Sequence, residues 1–125
     1  YSDLKMEIAC RRGWHGFRLY AFDQSPVMVG VAPDRDYETE IPDWPDDLNA
    51  AAPLLKDMMF PHLNYDKTAE VWRVPFPHRG TLEHAADAEP CRAVCIGWLS
   101  EQDENARLAG APAVLSSADD GARGG

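Results

Sequence analysis

The spacing of apolar and polar residues predicts an amphipathic helix at the start of the chain. Leu4 and Ile8 lie one helical turn apart within residues 3–12, where acidic residues come first and basic residues come last. Ser2 is the predicted N-cap of this helix, and Gly13 is its predicted stop. The first element is therefore a helix with one apolar face.

After this helix the apolar residues recur at every second position, which is typical of a half-buried strand. Phe17, Leu19 and Ala21 share one face, a turn is predicted at residues 23–26, and residues 27–31 form the next apolar run. Because the two runs are so close along the chain, an antiparallel hairpin is the simplest pairing.

Residues 34–47, here called the acidic segment, separate this hairpin from the next helix. Prolines at positions 33, 42 and 45 restrict the residue before each of them, so the segment is expected to be an extended loop. Asp46 or Asp47 can cap a helix over residues 48–59. Pro53 interrupts its pattern, so we expect either a kink or a helix that begins near Ala52.

A third strand is predicted at residues 70–76, with Trp72, Val74 and Phe76 on one side. Pro75 lacks an N–H and indicates an edge position or an early end of this strand. Residues 81–84 give a weak fourth strand.

The last helix has the clearest amphipathic pattern in the chain. Asp87 is its predicted cap, and its apolar residues are Cys91, Val94, Cys95, Trp98 and Leu99. Little can be buried after residue 103, so residues 104–125 are expected to form a tail. The sequence thus predicts one α+β domain over residues 1–103, with a small antiparallel sheet of three to four strands, about three helices and a flexible C-terminal tail.

The charge of the chain limits its partners. A net charge of −9 over 125 residues disfavours direct binding to nucleic acid or to an anionic membrane and favours a partner protein with a basic surface. The sequence has no apolar run long enough to span a bilayer, which favours the cytoplasm. The three cysteines cannot all pair with one another, and their small or apolar neighbours indicate reduced core thiols.

No catalytic motif is recognisable, and two metal motifs are incomplete. Cys91 and Cys95 could form half of a zinc site with His78 or His84, but thiols in an apolar helical stripe favour packing. The carboxylates at positions 34, 36 and 38 resemble the start of a calcium loop, yet the glycine of the sharp turn and the closing glutamate are missing. We therefore expect no metal, no cofactor and no enzymatic activity.

The acidic segment is the predicted partner-binding site. Its carboxylates create a concentrated negative field, and its two aromatic side chains are candidate anchors in an interface. For Trp44 an alternative is a lid that folds back onto the core, and the sequence does not decide between the two. The predicted binding residues are Asp34, Asp36, Tyr37, Glu38, Glu40, Asp43, Trp44, Asp46 and Asp47.

Four stretches of the chain resemble the phage ABA sandwich domain, a family of small tailed-phage and prophage proteins. They are residues 4–14, read as L-x-x-x-I-A-x-x-x-G-W, and residues 42–51, 71–76 and 91–95. The resemblance covers nearly all of the chain before the predicted tail, and it implies a phage or prophage origin without an established enzymatic activity. The chain departs from the family at Pro53 and in the length of the acidic segment.

Two classes of function follow. The first is a non-enzymatic phage or prophage accessory protein in the host cytoplasm that binds a basic host protein, and thereby inhibits a nucleic-acid-binding or defence factor. The second is a sequestering protein for a small ligand or nucleotide, with a pocket formed by the sheet, the aromatic residues and Arg11, Arg12 or Arg18. A virion or assembly component is a further alternative and predicts oligomers.

Overall fold

The computed structural model describes residues 3–22 and 25–115. These residues form three helices in an α+β arrangement, as the sequence predicts, and six strands instead of the predicted three to four. The elements are α1 (Leu4–Arg11), β1 (His15–Phe22), β2 (Ser25–Val31), β3 (Glu38–Glu40), α2 (Leu48–Lys56), β4 (Asn64–Asp66), β5 (Val71–His78), β6 (Thr81–Asp87) and α3 (Pro90–Leu115). The strands form two antiparallel sheets, in the orders β1-β2-β3 and β4-β5-β6, and not a single sheet.

Helix α1 is capped by Asp3, whose carboxylate accepts a hydrogen bond from the Met6 N–H at 3.2 Å. The predicted cap, Ser2, lies outside the described residues. Gly13 ends the helix with a φ of 91°, a left-handed conformation that glycine adopts without a steric penalty. Leu4 and Ile8 are buried as predicted, so α1 packs its apolar face on the core.

The predicted hairpin is confirmed in β1 and β2, which pair Leu19 with Met28 and carry a bulge between His15 and Arg18. The predicted turn residues Asp23 and Gln24 lie outside the described part of the chain. The acidic segment is not entirely a loop, because β3 forms within it and pairs with β2. A strand of three polar residues gives too short an alternation to be recognised in the sequence.

The second sheet is built around β5, with β4 on one side and β6 on the other. The sequence analysis does not predict β4, a strand of only three residues. Pro75 does not end the strand early, and β5 takes the central position. β4 pairs with Val71–Arg73 of β5, so Pro75 lies beyond the end of that pairing. Pro75 is opposite His84 of β6, and its missing N–H therefore removes no hydrogen bond to β4.

Helix α2 begins at Leu48 and is capped by Asp47, whose carboxylate accepts from the Asn49 N–H at 2.9 Å. The alternative start near Ala52 was therefore wrong. The helix ends at Lys56, three residues before the predicted end. Pro53 is exposed in its interior, which shows that packing of Ala51 and Leu54 outweighs the missing backbone donor.

Helix α3 forms the centre of the molecule and packs against β5, β6, α2 and α1. Its predicted apolar stripe is buried in full. The helix continues to Leu115, so the predicted tail boundary at residue 104 was wrong, and residues 116–125 lie outside the described part. The stripe of α3 forms one hydrophobic core with residues of the other elements, which include Leu4, Ile8, Ile41, Trp44, Leu54, Met58 and Val74.

Candidate functional site

The acidic segment is held to the body of the protein at three places. Strand β3 pairs with β2, placing Glu38 opposite Val31 and Glu40 opposite Val29. Ile41 is buried, and its N–H donates to the Met28 carbonyl at 3.2 Å. The segment then ends at Asp47, the cap of α2. These attachments fix the path of the backbone, so its polar side chains are presented on a supported surface.

All seven carboxylates of the segment are exposed to solvent. They belong to Asp34, Asp36, Glu38, Glu40, Asp43, Asp46 and Asp47. The fold therefore leaves all seven carboxylates on the surface of the protein. In the described part of the chain, four of them make neither a salt bridge nor a side-chain hydrogen bond, namely Asp36, Glu40, Asp43 and Asp46.

Three carboxylates of the segment already have local partners. Glu38 accepts two hydrogen bonds from the Arg18 guanidinium, at 2.5 and 2.7 Å. This contact lowers the pKa of Glu38 and raises the pKa of Arg18. Asp34 lies 4.0 Å from Arg35, and Asp47 is used as the helix cap. Glu38 and Asp47 therefore serve the fold and are less available to a partner.

Trp44 does not have the predicted role of an exposed anchor, because its side chain is only 4% exposed. Its ring packs edge-on against Trp14, with the ring centroids 6.4 Å apart and the planes at 89°. Burying an indole on the core removes a large apolar area from water, and this gain outweighs exposure in the loop. Trp44 is thus the lid that the sequence left as the alternative.

Tyr37 is the exposed aromatic residue of the segment, with 54% of its surface accessible. Arg35 donates a hydrogen bond to the Tyr37 hydroxyl at 2.9 Å, and its guanidinium carbon lies 5.6 Å from the ring centroid. The cation holds the ring in place without covering it. Tyr37 therefore keeps the geometry of an interface anchor.

A groove of about 800 Å³ lies along the other side of the segment. Its walls include Arg11, Arg12, Trp14 and Glu40. Arg11 forms salt bridges to Glu7 and Asp103, at 2.8 and 2.6 Å. The Arg12 guanidinium lies 3.5 Å from the Asp57 carboxylate and 6.0 Å from the centroid of the Trp98 ring.

The proposed nucleotide pocket is therefore only partly assembled by the fold. Arg18 is not part of the groove, since it is bound to Glu38 on the first sheet. Two of the groove cations have long ion pairs, Arg12 at 3.5 Å from Asp57 and Arg35 at 4.0 Å from Asp34, and the half-buried ring of Trp14 lines the same groove. The groove therefore offers a ligand the guanidinium groups of Arg12 and Arg35 and the half-buried ring of Trp14.

Cys91 and Cys95 pack in the core, as the apolar stripe predicts. Burial raises the pKa of both thiols, that of Cys95 to about 12, so neither is present as a thiolate near neutral pH. Cys10 is exposed, so its assignment as a core thiol was wrong. In residues 3–22 and 25–115, no three His, Cys, Asp or Glu side chains are placed to hold a metal ion together.

Sequence reasoning missed a buried carboxylate on the far side of α3. Glu104 is only 4% exposed, accepts from Arg107 at 2.6 and 3.0 Å and from the Arg79 N–H at 2.9 Å, and lies 3.5 Å from His78. The hydrogen bonds from Arg107 are the main reason why its pKa falls to about 2. The spacing of Glu104 and Arg107 on one helix face was the available signal, but the region had been assigned to a tail.

None of the helices in the described residues combines the length and the apolar character needed to cross a bilayer. Comparisons of the chain with family models, with curated proteins and with solved structures found no match.

Proposed function

We propose that this chain is a non-enzymatic accessory protein of phage or prophage origin that binds a basic host protein through the acidic segment. One observation supports the binding mode above all: Asp36, Glu40, Asp43 and Asp46 are exposed and lack a salt bridge in the part of the chain that the structure describes. The origin rests on the resemblance to the phage ABA sandwich family alone.

The charge of the segment acts mainly on the rate of encounter. Carboxylates without internal partners attract a cationic surface over about 8 Å at physiological ionic strength, the distance over which salt screens them. Once the surfaces meet, Tyr37 can bury its exposed ring against the partner and lengthen the lifetime of the complex. Trp44 contributes by holding the segment on the core, and not by contacting the partner.

The charge also favours a particular class of host target. Proteins that bind nucleic acid carry basic surfaces, and a negatively charged protein can occupy such a surface in place of the phosphate backbone. The proposed consequence is inhibition of a host nucleic-acid-binding or defence factor in the bacterial cytoplasm. Direct binding of this chain to nucleic acid or membrane is disfavoured by its charge of −9.

The test compares two variants with the same change in net charge. The triple variant Asp36→Asn, Asp43→Asn, Asp46→Asn removes three partnerless carboxylates and leaves the α2 cap and the Glu38 ion pair intact. The control variant Glu70→Gln, Glu83→Gln, Glu89→Gln removes three exposed carboxylates elsewhere.

A host protein captured from bacterial lysate by the wild-type chain should bind the first variant with an association rate about tenfold lower, while the control stays near wild type. Binding kinetics on immobilised chain measure this difference. Equal association rates for the two variants would exclude the acidic segment as the docking surface.

The groove favours a second candidate function, which is sequestration of a small anionic ligand. Arg12, whose ion pair to Asp57 is 3.5 Å long, lines the same groove as the half-buried ring of Trp14, so the groove presents a cation and an aromatic face to a nucleoside phosphate. A ligand at 100 times its dissociation constant stabilises the folded state by about 2.7 kcal/mol and so raises the melting temperature. A thermal-shift screen with nucleoside phosphates on wild type and Arg12→Ala tests this function. An unchanged melting temperature in wild type would exclude it.

A further inference from the structure

Strand β1 has an open edge. It is the outer strand of the first sheet, with β2 on one side and no described strand on the other. It is also long, since it covers the eight residues His15–Phe22. An open strand of this length exposes a row of backbone donors and acceptors that can pair with another strand.

The position of Pro26 shows which residues of β1 face this edge. Pro26 is opposite Ala21, and because proline has no N–H, these two residues cannot exchange a pair of backbone hydrogen bonds. In an antiparallel ladder such pairs alternate with hydrogen-bonded pairs, so Leu19 opposite Met28 belongs to the same class as Ala21. The N–H and C=O groups of Leu19 and Ala21 therefore point away from β2, toward the open edge.

The side chains along this edge are exposed on both faces of the hairpin. Leu19 is 61% exposed and Tyr20, its neighbour on the opposite face, is 43% exposed. β1 contains no proline and no lysine, which are among the residues that usually protect an edge from pairing. The edge therefore offers apolar contacts as well as hydrogen bonds.

The other outer strands of the two sheets lack this combination. β3 and β4 have three residues each, and β6 carries the carboxylates of Glu83 and Asp87. The described residues of β1 and β2 contain no carboxylate, and the guanidinium of Arg18 is already bound to Glu38. The chain has a net charge of −9, so two copies repel each other. Among the outer strands that the structure describes, β1 is the long one at which this repulsion is smallest.

We infer that β1 pairs antiparallel with β1 of a second copy of this chain. The β1-β2-β3 sheet of one copy and that of the other then form one continuous sheet of six strands. Leu19 then exchanges both hydrogen bonds with Ala21 of the second copy, and Tyr20 faces Tyr20 of that copy at the twofold axis. This register uses the outward-facing groups and avoids the bulge between His15 and Arg18. The pairing consumes both β1 edges, so it closes at a dimer.

Sedimentation equilibrium over a range of concentrations tests the dimer. Wild type should shift from 13.9 kDa toward twice that mass as concentration rises. Leu19→Asp places two carboxylates in the interface and should raise the dimer dissociation constant about 100-fold, whereas Leu82→Asp, at an exposed leucine of β6, should leave it unchanged. A mass of 13.9 kDa at every concentration, or assembly beyond a dimer, would overturn the inference.

A disulfide trap tests the register. In a Cys10→Ser background, which removes the exposed native thiol, Tyr20→Cys should form an intermolecular disulfide under mild oxidation. Residues in a non-hydrogen-bonded pair have Cα atoms about 4.5 Å apart, within the range of a disulfide. Leu82→Cys in the same background is the control. Equal crosslinking of the two variants, or none for Tyr20→Cys, would contradict the proposed pairing.

Discussion

At the scale of single residues, two glutamates of α3 connect the helix to neighbouring loops. Glu101 accepts from the Met59 N–H at 3.1 and 3.2 Å, and Glu104 accepts from the Arg79 N–H at 2.9 Å. Arg79 has a φ of 51°, an uncommon conformation for a residue with a side chain, so its N–H is held by a charged acceptor at a tight turn. Both buried carboxylates therefore satisfy backbone donors.

Because the pKa of Glu104 is lowered, the stability that this residue contributes should depend on pH. A carboxyl group whose pKa is lower in the folded than in the unfolded state stabilises the fold at pH values above its unfolded pKa, which is 4.5 for Glu104. That contribution is lost as the pH falls toward the folded pKa of about 2. Glu104→Gln should lower the urea midpoint at pH 7, and the gap from wild type should close below pH 4.5. Urea titrations across this range measure the gap, with Glu40→Gln, at an exposed glutamate, as control. A gap that is independent of pH would contradict the ionised role of Glu104.

The three thiols should differ in their reactivity. Cys10 is exposed, whereas Cys91 and Cys95 are buried and have raised pKa values, so few of their thiolates are present at pH 8. We expect Ellman's reagent to modify one thiol rapidly in the folded chain and the other two only after unfolding. Cys10→Ser should remove the rapid phase. A rapid phase of two or three thiols would show that the α3 core opens readily.

At the scale of elements, the contact between α3 and β5 depends on Gly97. A Cβ atom at this position would lie 2.9 Å from Cγ1 of Val74, 3.2 Å from its Cβ and 3.3 Å from Cε of Met58. Val74 is fully buried and branched at Cβ, so it cannot rotate away cheaply. The absence of a side chain at Gly97 therefore sets how closely the central helix approaches the sheet.

Gly97→Ala should consequently destabilise the protein. Alanine gains about 1 kcal/mol in helix propensity, but overpacking costs about 1–3 kcal/mol, so we expect a net loss of about 1 kcal/mol. Gly110→Ala, in the same helix with open space around the new methyl group, should instead raise stability by about 0.5–1 kcal/mol. Urea denaturation of both variants measures the difference. If Gly97→Ala were as stable as Gly110→Ala, the close contact would be wrong.

Long periodic elements could be predicted from the sequence, whereas three-residue strands and the effect of an internal proline could not. The stripe of α3 is buried, and in β5 Val74 belongs to the core while Trp72 and Phe76 pack against it, so both elements were found. β3 and β4 have three residues each and exist because neighbouring strands supply partners, which a local pattern does not contain. Pro53 and Pro75 are tolerated because tertiary packing decides the element around them.

The candidate site was predictable in part, for the same reason. Runs of carboxylates are seldom buried, so the exposure of Asp36 or Asp43 follows from residue type. The burial of Trp44 depends on Trp14, thirty residues earlier, and the partner of Glu38 is Arg18 on another strand. Contacts between residues that are distant in the sequence can be seen only in the folded structure. These contacts show which carboxylates stabilise the fold and which are available to a partner.

At the scale of the whole molecule, the charge of −9 connects the two proposed interactions. The acidic segment attracts a cationic surface, so the host complex gains from the field of the protein. The β1 edge carries no carboxylate, so the dimer gains nothing from this field and is opposed by repulsion between two like-charged copies. Salt should therefore act on the two interactions in opposite directions.

Raising the ionic strength from about 0.01 M to 0.15 M shortens the screening length from about 30 Å to about 8 Å. The host complex should then weaken by about tenfold or more, mainly through a slower association rate, while the dimer dissociation constant should fall because repulsion between the copies is screened. Binding kinetics and sedimentation equilibrium at both ionic strengths measure the two effects. A dimer that weakens with added salt would indicate an interface held by ion pairs, which the β1 edge cannot supply.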